Sequence, residues 1–196
     1  MQEISAAAIY FSQPGKLNTQ RTLQLVAQRA DQLKIKTILV ATTSGETAVQ
    51  AAKMLPGKRL IAVSHAAGFR SENTQELTPE NRAALEAAGV TILTCQHALG
   101  GVNRAVRKQL GGIESDEIIA NTLRIFQQGM KVIVEIAIMA ADAGLVDCKK
   151  PVITVAGTGQ GADLAAVVLP VNTYNFFDIR VVETICRPAP EHPQFQ

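Results

Sequence analysis

The chain has 196 residues, of which 47% are hydrophobic and 18% charged, with a formal net charge of +2. That is the length and composition of one soluble globular domain with ample core, and so small a charge gives no electrostatic reason to expect a nucleic-acid or membrane partner. The three cysteines, Cys95, Cys148 and Cys186, lie far apart and are odd in number, which excludes a disulfide framework and the paired spacing of a zinc site.

A reducing cytoplasmic setting is therefore expected, with no metal. The first residues show no basic segment followed by a long apolar one, so no secretory signal is expected. The most apolar window, residues 132–141, is interrupted by Glu135 and is too short to span a bilayer.

In chain order, residues 6–11 read as a first strand stopped by Pro14-Gly15. Asn18 or Thr19 can cap a helix whose Leu23, Val26, Ala27, Ala30 and Leu33 recur at helical spacing. Residues 37–41 form a second, apolar strand. It runs into Thr42-Thr43-Ser44-Gly45-Glu46-Thr47, a hydroxyl- and glycine-bearing turn, and then an Ala-rich helix over residues 48–55. A helix N-terminus leaves N–H groups unpaired and carries partial positive charge, so this turn is a seat for an anion, and Thr43, Ser44 and Thr47 add hydroxyl donors. The alternative is a capping turn in which Ser44 merely satisfies the helix end. Glu46 is expected to point outward, where it favours the helix dipole.

Residues 60–63 are a third strand leading into Ser64-His65-Ala66-Ala67-Gly68, and the polar residues 70–77 after it form a candidate lid. Thr78-Pro79-Glu80 starts a helix that ends at Gly89. Residues 90–95 are a fourth strand, residues 101–110 a basic helix closed by Gly111-Gly112, and Ser115 opens another helix that runs to Gly129. Residues 130–143 are read as a buried helix, since their length outweighs their β-branched content. Residues 151–156 are the fifth strand, ending in Gly157-Thr158-Gly159-Gln160-Gly161. Residues 166–171 and 179–186 are two more strands, and residues 188–196 a Pro-rich tail expected to be ordered only by docking.

Alternating strands and helices in a single domain over residues 1–196 predict an α/β fold with a mostly parallel sheet. Ligands of such folds bind at the carboxyl ends of strands. Ser12, residues 42–47 and 64–68, Gln96, His97 and residues 157–161 all fall there, which predicts one crevice. The Gly157, Gly159 and Gly161 spacing is not a dinucleotide fingerprint, because the third glycine comes one position early and the loop is late in the chain. It allows a close backbone approach to a ligand or is a plain turn. No Gly-Lys-Ser/Thr loop occurs, so Walker-type hydrolysis is not expected.

Cys95 and His97 would share a face of a strand, as a nucleophile pair or as a structural cysteine beside a loop histidine. His65 faces a ligand or solvent. Arg104, Arg107 and Lys108 form either a solvated face or a reach toward a phosphate. Glu135 and Asp142, in an apolar segment, each need a partner or water, and either could reach the crevice.

Residues 38–48, followed by Leu60-Ile61-Ala62-Val63-Ser64, resemble the C-terminal domain of pyruvate kinase, where a Thr/Ser-rich turn ending in Ser-Gly-x-Thr-Ala holds a phosphate of the sugar-phosphate activator. The matching positions are Thr42, Thr43, Ser44, Gly45 and Thr47. Tyr10-Phe11, Pro14-Gly15, Asn18-Thr19, Ile138-Met139-Ala140-Ala141-Asp142 and Asn175-Phe176-Phe177-Asp178 are similar to stretches of stand-alone prokaryotic relatives of that domain. The resemblance implies a three-layer α/β/α sandwich of strand order 3-2-1-4-5 with an antiparallel final strand. It also implies flavin mononucleotide (FMN) or a similar phosphorylated ligand in the crevice. Kinase activity is not implied, since that chemistry belongs to a separate barrel domain. Glu46 stands where the kinase commonly has a basic residue, so the resemblance does not extend to a doubly phosphorylated sugar.

The expected cofactor-binding residues are thus Thr42, Thr43, Ser44, Gly45, Glu46, Thr47, His65, Gly68, His97, Gly157, Thr158 and Gly159. The expected partners are the phosphorylated ligand and, in a homo-oligomer, further copies of the chain. Two rivals stay open: an enzyme acting on a sugar phosphate, and a metabolite-sensing regulatory domain.

Overall fold

The computed structural model describes residue 3 and residues 5–189. Strand β1 (Ile9–Phe11) leads through a short 3-10 turn (Lys16–Asn18) into α1 (Thr19–Gln32). Then follow β2 (Thr37–Ala41), α2 (Glu46–Met54), β3 (Arg59–Ser64), α3 (Pro79–Ala87) and β4 (Thr91–Thr94). Helices α4 (Val102–Leu110), α5 (Ser115–Arg124) and α6 (Gln128–Asp142) come next without an intervening strand. The chain closes with β5 (Val152–Ala156), β6 (Leu164–Leu169), a 3-10 stretch (Thr173–Asp178) and β7 (Arg180–Pro188). The sixth strand thus begins at Leu164 rather than at 166. Pro188 pairs with Phe11 at the end of β7, and the rest of the expected tail, residues 190–196, lies outside the described residues.

Among the described residues the sheet has seven strands, in the order β1-β7-β6-β5-β2-β3-β4. Counted from β2, its first five strands follow the order 3-2-1-4-5. The antiparallel pairing falls among the C-terminal strands, since β6 runs against both β5 and β7. The reason is local: a parallel return needs a crossover of about a dozen residues or more, and the loop between Ala156 and Leu164 is too short for one. The position of β1 is the feature that periodicity could not supply. It pairs in parallel with β7 at the far edge, not beside β2.

Side chains alternate across the sheet, as a strand's period of two requires. Ile38, Val40, Leu60, Ala62, Ile153 and Val155 face α1, α2 and α3, packing with Leu23, Val26, Ala51 and Leu85. Leu39, Ile61, Val63, Val152 and Ala156 face the other way, against Ile133, Ile136, Ala137 and Ala140 of α6. Helix α6 is buried on nearly every side from Gly129 to Ala141, which is why its sequence is apolar all round and resists a strand-or-helix decision by pattern. Three layers result, with the ends of β2, β3 and β5 opening between them.

Candidate functional site

A cavity of about 760 Å³ lies at those strand ends, within the range of about 300–1,000 Å³ usual for small-molecule sites. One wall is the turn into α2. Thr42 is buried, and its Oγ1 accepts the Gly45 N–H at 3.1 Å. The Ser44 carbonyl accepts from the Thr78 N–H at 3.1 Å and from Asn81 Nδ2 at 2.9 Å, which fastens the turn to the start of α3. Gly45 has φ of 103°, and a Cβ there would stand 2.5 Å from the Asn81 Cβ, so only glycine fits. The first in-helix bond is Val49 N–H to Gly45 O, which leaves the earlier N–H groups free of helical partners. Ser44 Oγ lies 3.5 Å from the Glu46 N–H, too far for a firm cap, so its hydroxyl remains open to the cavity. Glu46 reaches out to Lys16 Nζ at 2.7 Å across the rim, both side chains more than half exposed.

The facing wall comes from α6. Lys131 and Glu135, one helical turn apart and 4% and 3% exposed, form a buried ion pair. Glu135 Oε1 accepts the Leu99 N–H at 3.0 Å, and His97 Nδ1 stands 3.7 Å from its other oxygen. Burial alone would raise the Glu135 carboxyl. His97 and Lys131 outweigh it and hold the group at about 2; at 3.7 Å the histidine acts as a polar neighbour more than as a hydrogen-bond donor, which leaves Lys131 the larger part. Burial lowers the Lys131 ammonium against the pull of Glu135, and Arg104 and Arg124 press it further down.

The loop after β3 closes over one side. His65 Nδ1 contacts Glu76 at 2.6 Å, and Arg70 Nε holds the other Glu76 oxygen at 2.8 Å. Gln75 Nε2 donates to the His65 carbonyl at 2.8 Å. Phe69 stacks on His97 with centroids 4.9 Å apart, lies 4.2 Å from the His65 ring, and carries the Arg104 guanidinium at 4.8 Å. The segment expected as a lid is therefore pinned by side-chain contacts at its base.

The last wall is the loop after β5. Gly161 sits so close to the entry of α1 that a Cβ would come 2.7 Å from the Lys16 Cα. Thr19 Oγ1 accepts the Ala162 N–H at 3.0 Å, and Asp163 Oδ2 accepts from Gly15 N–H at 2.7 Å and Thr158 N–H at 3.2 Å.

Of the residues expected at the site, Thr42, Thr43, Ser44, Glu46, Thr47, His65, His97, Gly157, Thr158 and Gly159 line the cavity. Gly45 stands behind the wall, and the Gly68 N–H turns back onto the Thr74 carbonyl, away from the lining. Ser12 is off the wall too, because β1 is an edge strand; the chain returns to the cavity only at Lys16 and Thr19. Cys95 and His97 do not share a strand face, since β4 ends at Thr94. Cys95 packs against the α6 side of the core, and burial with Asp142 nearby pushes its thiol up, which disfavours a nucleophilic thiolate. Glu135 reaches the cavity, whereas Asp142 is bound by Asn172 and Thr173. Arg104 lines the wall, and Arg107 pairs instead with Glu117 at 2.5 Å. Sequence reasoning missed Lys131, Arg124 and Phe69. For Lys131 a signal existed: it stands four residues before Glu135 in an apolar run, the spacing of an in-helix pair.

Among the described residues no helix is long and apolar enough to cross a membrane. The family described as "Pyruvate kinase, alpha/beta domain" matches residues 20–168. Among solved structures, a pyruvate kinase from Cryptosporidium parvum is 18% identical with a TM-score of 0.40, the match covering 76% of this chain and 22% of that one. The Cryptosporidium parvum pyruvate kinase in complex with ADP gives 18% identity and 0.39 over the same shares. An NAD+ synthetase from Burkholderia pseudomallei gives 15% and 0.34, over 72% of this chain and 52% of that one. The match spans about a fifth of the length of those pyruvate kinases.

Proposed function

We propose, on the premise that this chain belongs to the pyruvate kinase alpha/beta domain family, that its cavity binds a phosphorylated small molecule, with FMN the first candidate. The observation that carries the reading is the turn into α2: a helix N-terminus with free N–H groups and the Ser44 and Thr47 hydroxyls facing a cavity with Arg104 and Arg124 on its walls. The phosphate would lie against residues 43–47. Phe69, stacked on His97 and carrying the Arg104 guanidinium, borders the side where a ring would lie, and the backbone of Gly157, Thr158 and Gly159 gives a close approach for the linking chain. The reading includes no pyruvate kinase activity.

A test is thermal shift and calorimetry with FMN, other phosphorylated metabolites and their dephosphorylated counterparts, beside mass spectrometry of whatever co-purifies. Ser44→Ala and Thr47→Ala are each expected to weaken FMN about tenfold or more, the worth of a hydrogen bond to a charged group, at unchanged melting temperature. No binding of any phosphorylated ligand, or unchanged affinity in both variants, sinks the reading.

A second reading, an enzyme acting on a sugar phosphate, rests on the buried Lys131 and Glu135 on the cavity wall, since perturbed ionisable groups collect at reacting sites, with the buried His97 ring beside them. Turnover of a sugar phosphate that disappears in His97→Gln while ligand affinity persists would favour it.

A further inference from the structure

Helices α4 and α5 enclose a second pocket of about 350 Å³ that the main cavity does not explain. On its wall Asn103 is buried, and neither its Nδ2 nor its Oδ1 has a hydrogen-bond partner among the described residues. A buried amide with both ends open is costly unless something supplies an acceptor and a donor together. Because both atoms are unpartnered, the requirement is the same whichever way the amide is turned.

The charges around it are lopsided. Arg104, Arg107, Lys108 and Arg124 line the pocket, against the single carboxylate of Glu117, which Arg107 already holds at 2.5 Å. Among the described residues Arg104, Lys108 and Arg124 pair with no carboxylate. Arg104 and Lys108 stand one helical turn apart on α4, a spacing at which like charges repel. Their field is not spent locally, for Arg104 and Arg124 also press down the Lys131 ammonium next door.

We infer that the pocket between α4 and α5 is a second binding site, for a small oxyanion that carries its own hydrogen-bond donor. The cations face the negative oxygens, Asn103 Nδ2 donates to one of them, and Asn103 Oδ1 accepts from the ligand's O–H. The simplest such species is inorganic phosphate, which at neutral pH keeps a P–O–H. Sulfate has the same shape and charge class and lacks that proton, so Oδ1 would stay unpaired against it. This inference does not rest on the reading of the main cavity.

The experiment is a titration of the full chain with inorganic phosphate at constant ionic strength, followed by the side-chain amide resonances of Asn103. These are assigned by their loss in Asn103→Leu. The expected result is a saturable shift with phosphate and at least tenfold weaker binding of sulfate. Arg107→Ala with Lys108→Ala should weaken the phosphate response tenfold or more, and Thr47→Ala, in the main cavity, should leave it unchanged. Both α4 side chains are exposed, so calorimetry on that double variant tests the site even where Asn103→Leu fails to fold. A shift that is linear or equal for phosphate and sulfate overturns the inference, as does a response that survives the double variant or follows Thr47→Ala.

Discussion

The Lys131–Glu135 pair is the most consequential contact at the level of single residues. A buried pair that loses one partner leaves an uncompensated charge, whereas a pair replaced whole by neutral groups often costs little. Glu135→Gln is therefore expected to destabilise by about 3–5 kcal/mol at pH 7, and the double variant Lys131→Met with Glu135→Gln by less than that. Urea unfolding of the three proteins decides it. The same pair sets an acid limit. The Glu135 carboxyl sits at about 2 in the folded chain and near 4.5 ordinarily. Its contribution is thus present above pH 4.5 and lost as pH falls toward 2, at most about 3 kcal/mol. The lowered Lys131 works in the opposite sense, costing stability wherever the buried amine is charged. Stability measured between pH 5 and pH 2 should fall more steeply in the native chain than in Glu135→Gln; equal slopes would discard this account.

Among the elements, α2 and α3 act as one unit at the turn. The Thr78 side chain caps α3 by accepting the Asn81 N–H, while Asn81 Nδ2 and the Thr78 N–H both hold the Ser44 carbonyl. Thr78→Ala is expected to cost about 1 kcal/mol of stability, the usual worth of such a cap. Gly45→Ala should cost more, about 2 kcal/mol, because the new Cβ meets Asn81 and φ is positive. On the proposed reading of the cavity it should also weaken FMN binding by displacing the α2 N-terminus, which Thr78→Ala should not. Denaturation curves and one affinity measurement on each variant separate the two effects. The Ser-Gly-Glu-Thr run was legible as a helix start because capping and turn chemistry are local. Its attachment to α3 was not, since Ser44 and Asn81 are far apart in sequence.

For the molecule as a whole, β7 closes the sheet by joining β6 to the N-terminal strand β1. Cys186 lies in that strand, fully buried, and burial pushes its thiol up to about 11. Cys148 is only half-buried, outside the strands and helices. Thiol labelling read by peptide mass spectrometry should therefore modify Cys148 first and Cys95 more slowly. Cys186 should react only as fast as the whole sheet opens, in step with added denaturant. Labelling of Cys186 at the rate of Cys148 would mean that the β1–β7 edge opens on its own.

The sequence by itself determined the elements: which stretches are strands, that residues 130–143 are helical, and that a hydroxyl-rich turn begins α2. The strands and the turn depend on periodicity, capping or turn chemistry within a few residues, and the helix at residues 130–143 on its length. Only the tertiary structure decided that β1 lies at the far edge. It also decided that Cys95 and His97 part company, and that Lys131, Arg124 and Phe69 share a cavity with that turn. These outcomes depend on pairings between distant parts of the chain, such as the Gly15 N–H on Asp163 across 148 residues. Such contacts leave no period in the sequence. They exist because a buried polar group must find a partner wherever the packed layers bring one.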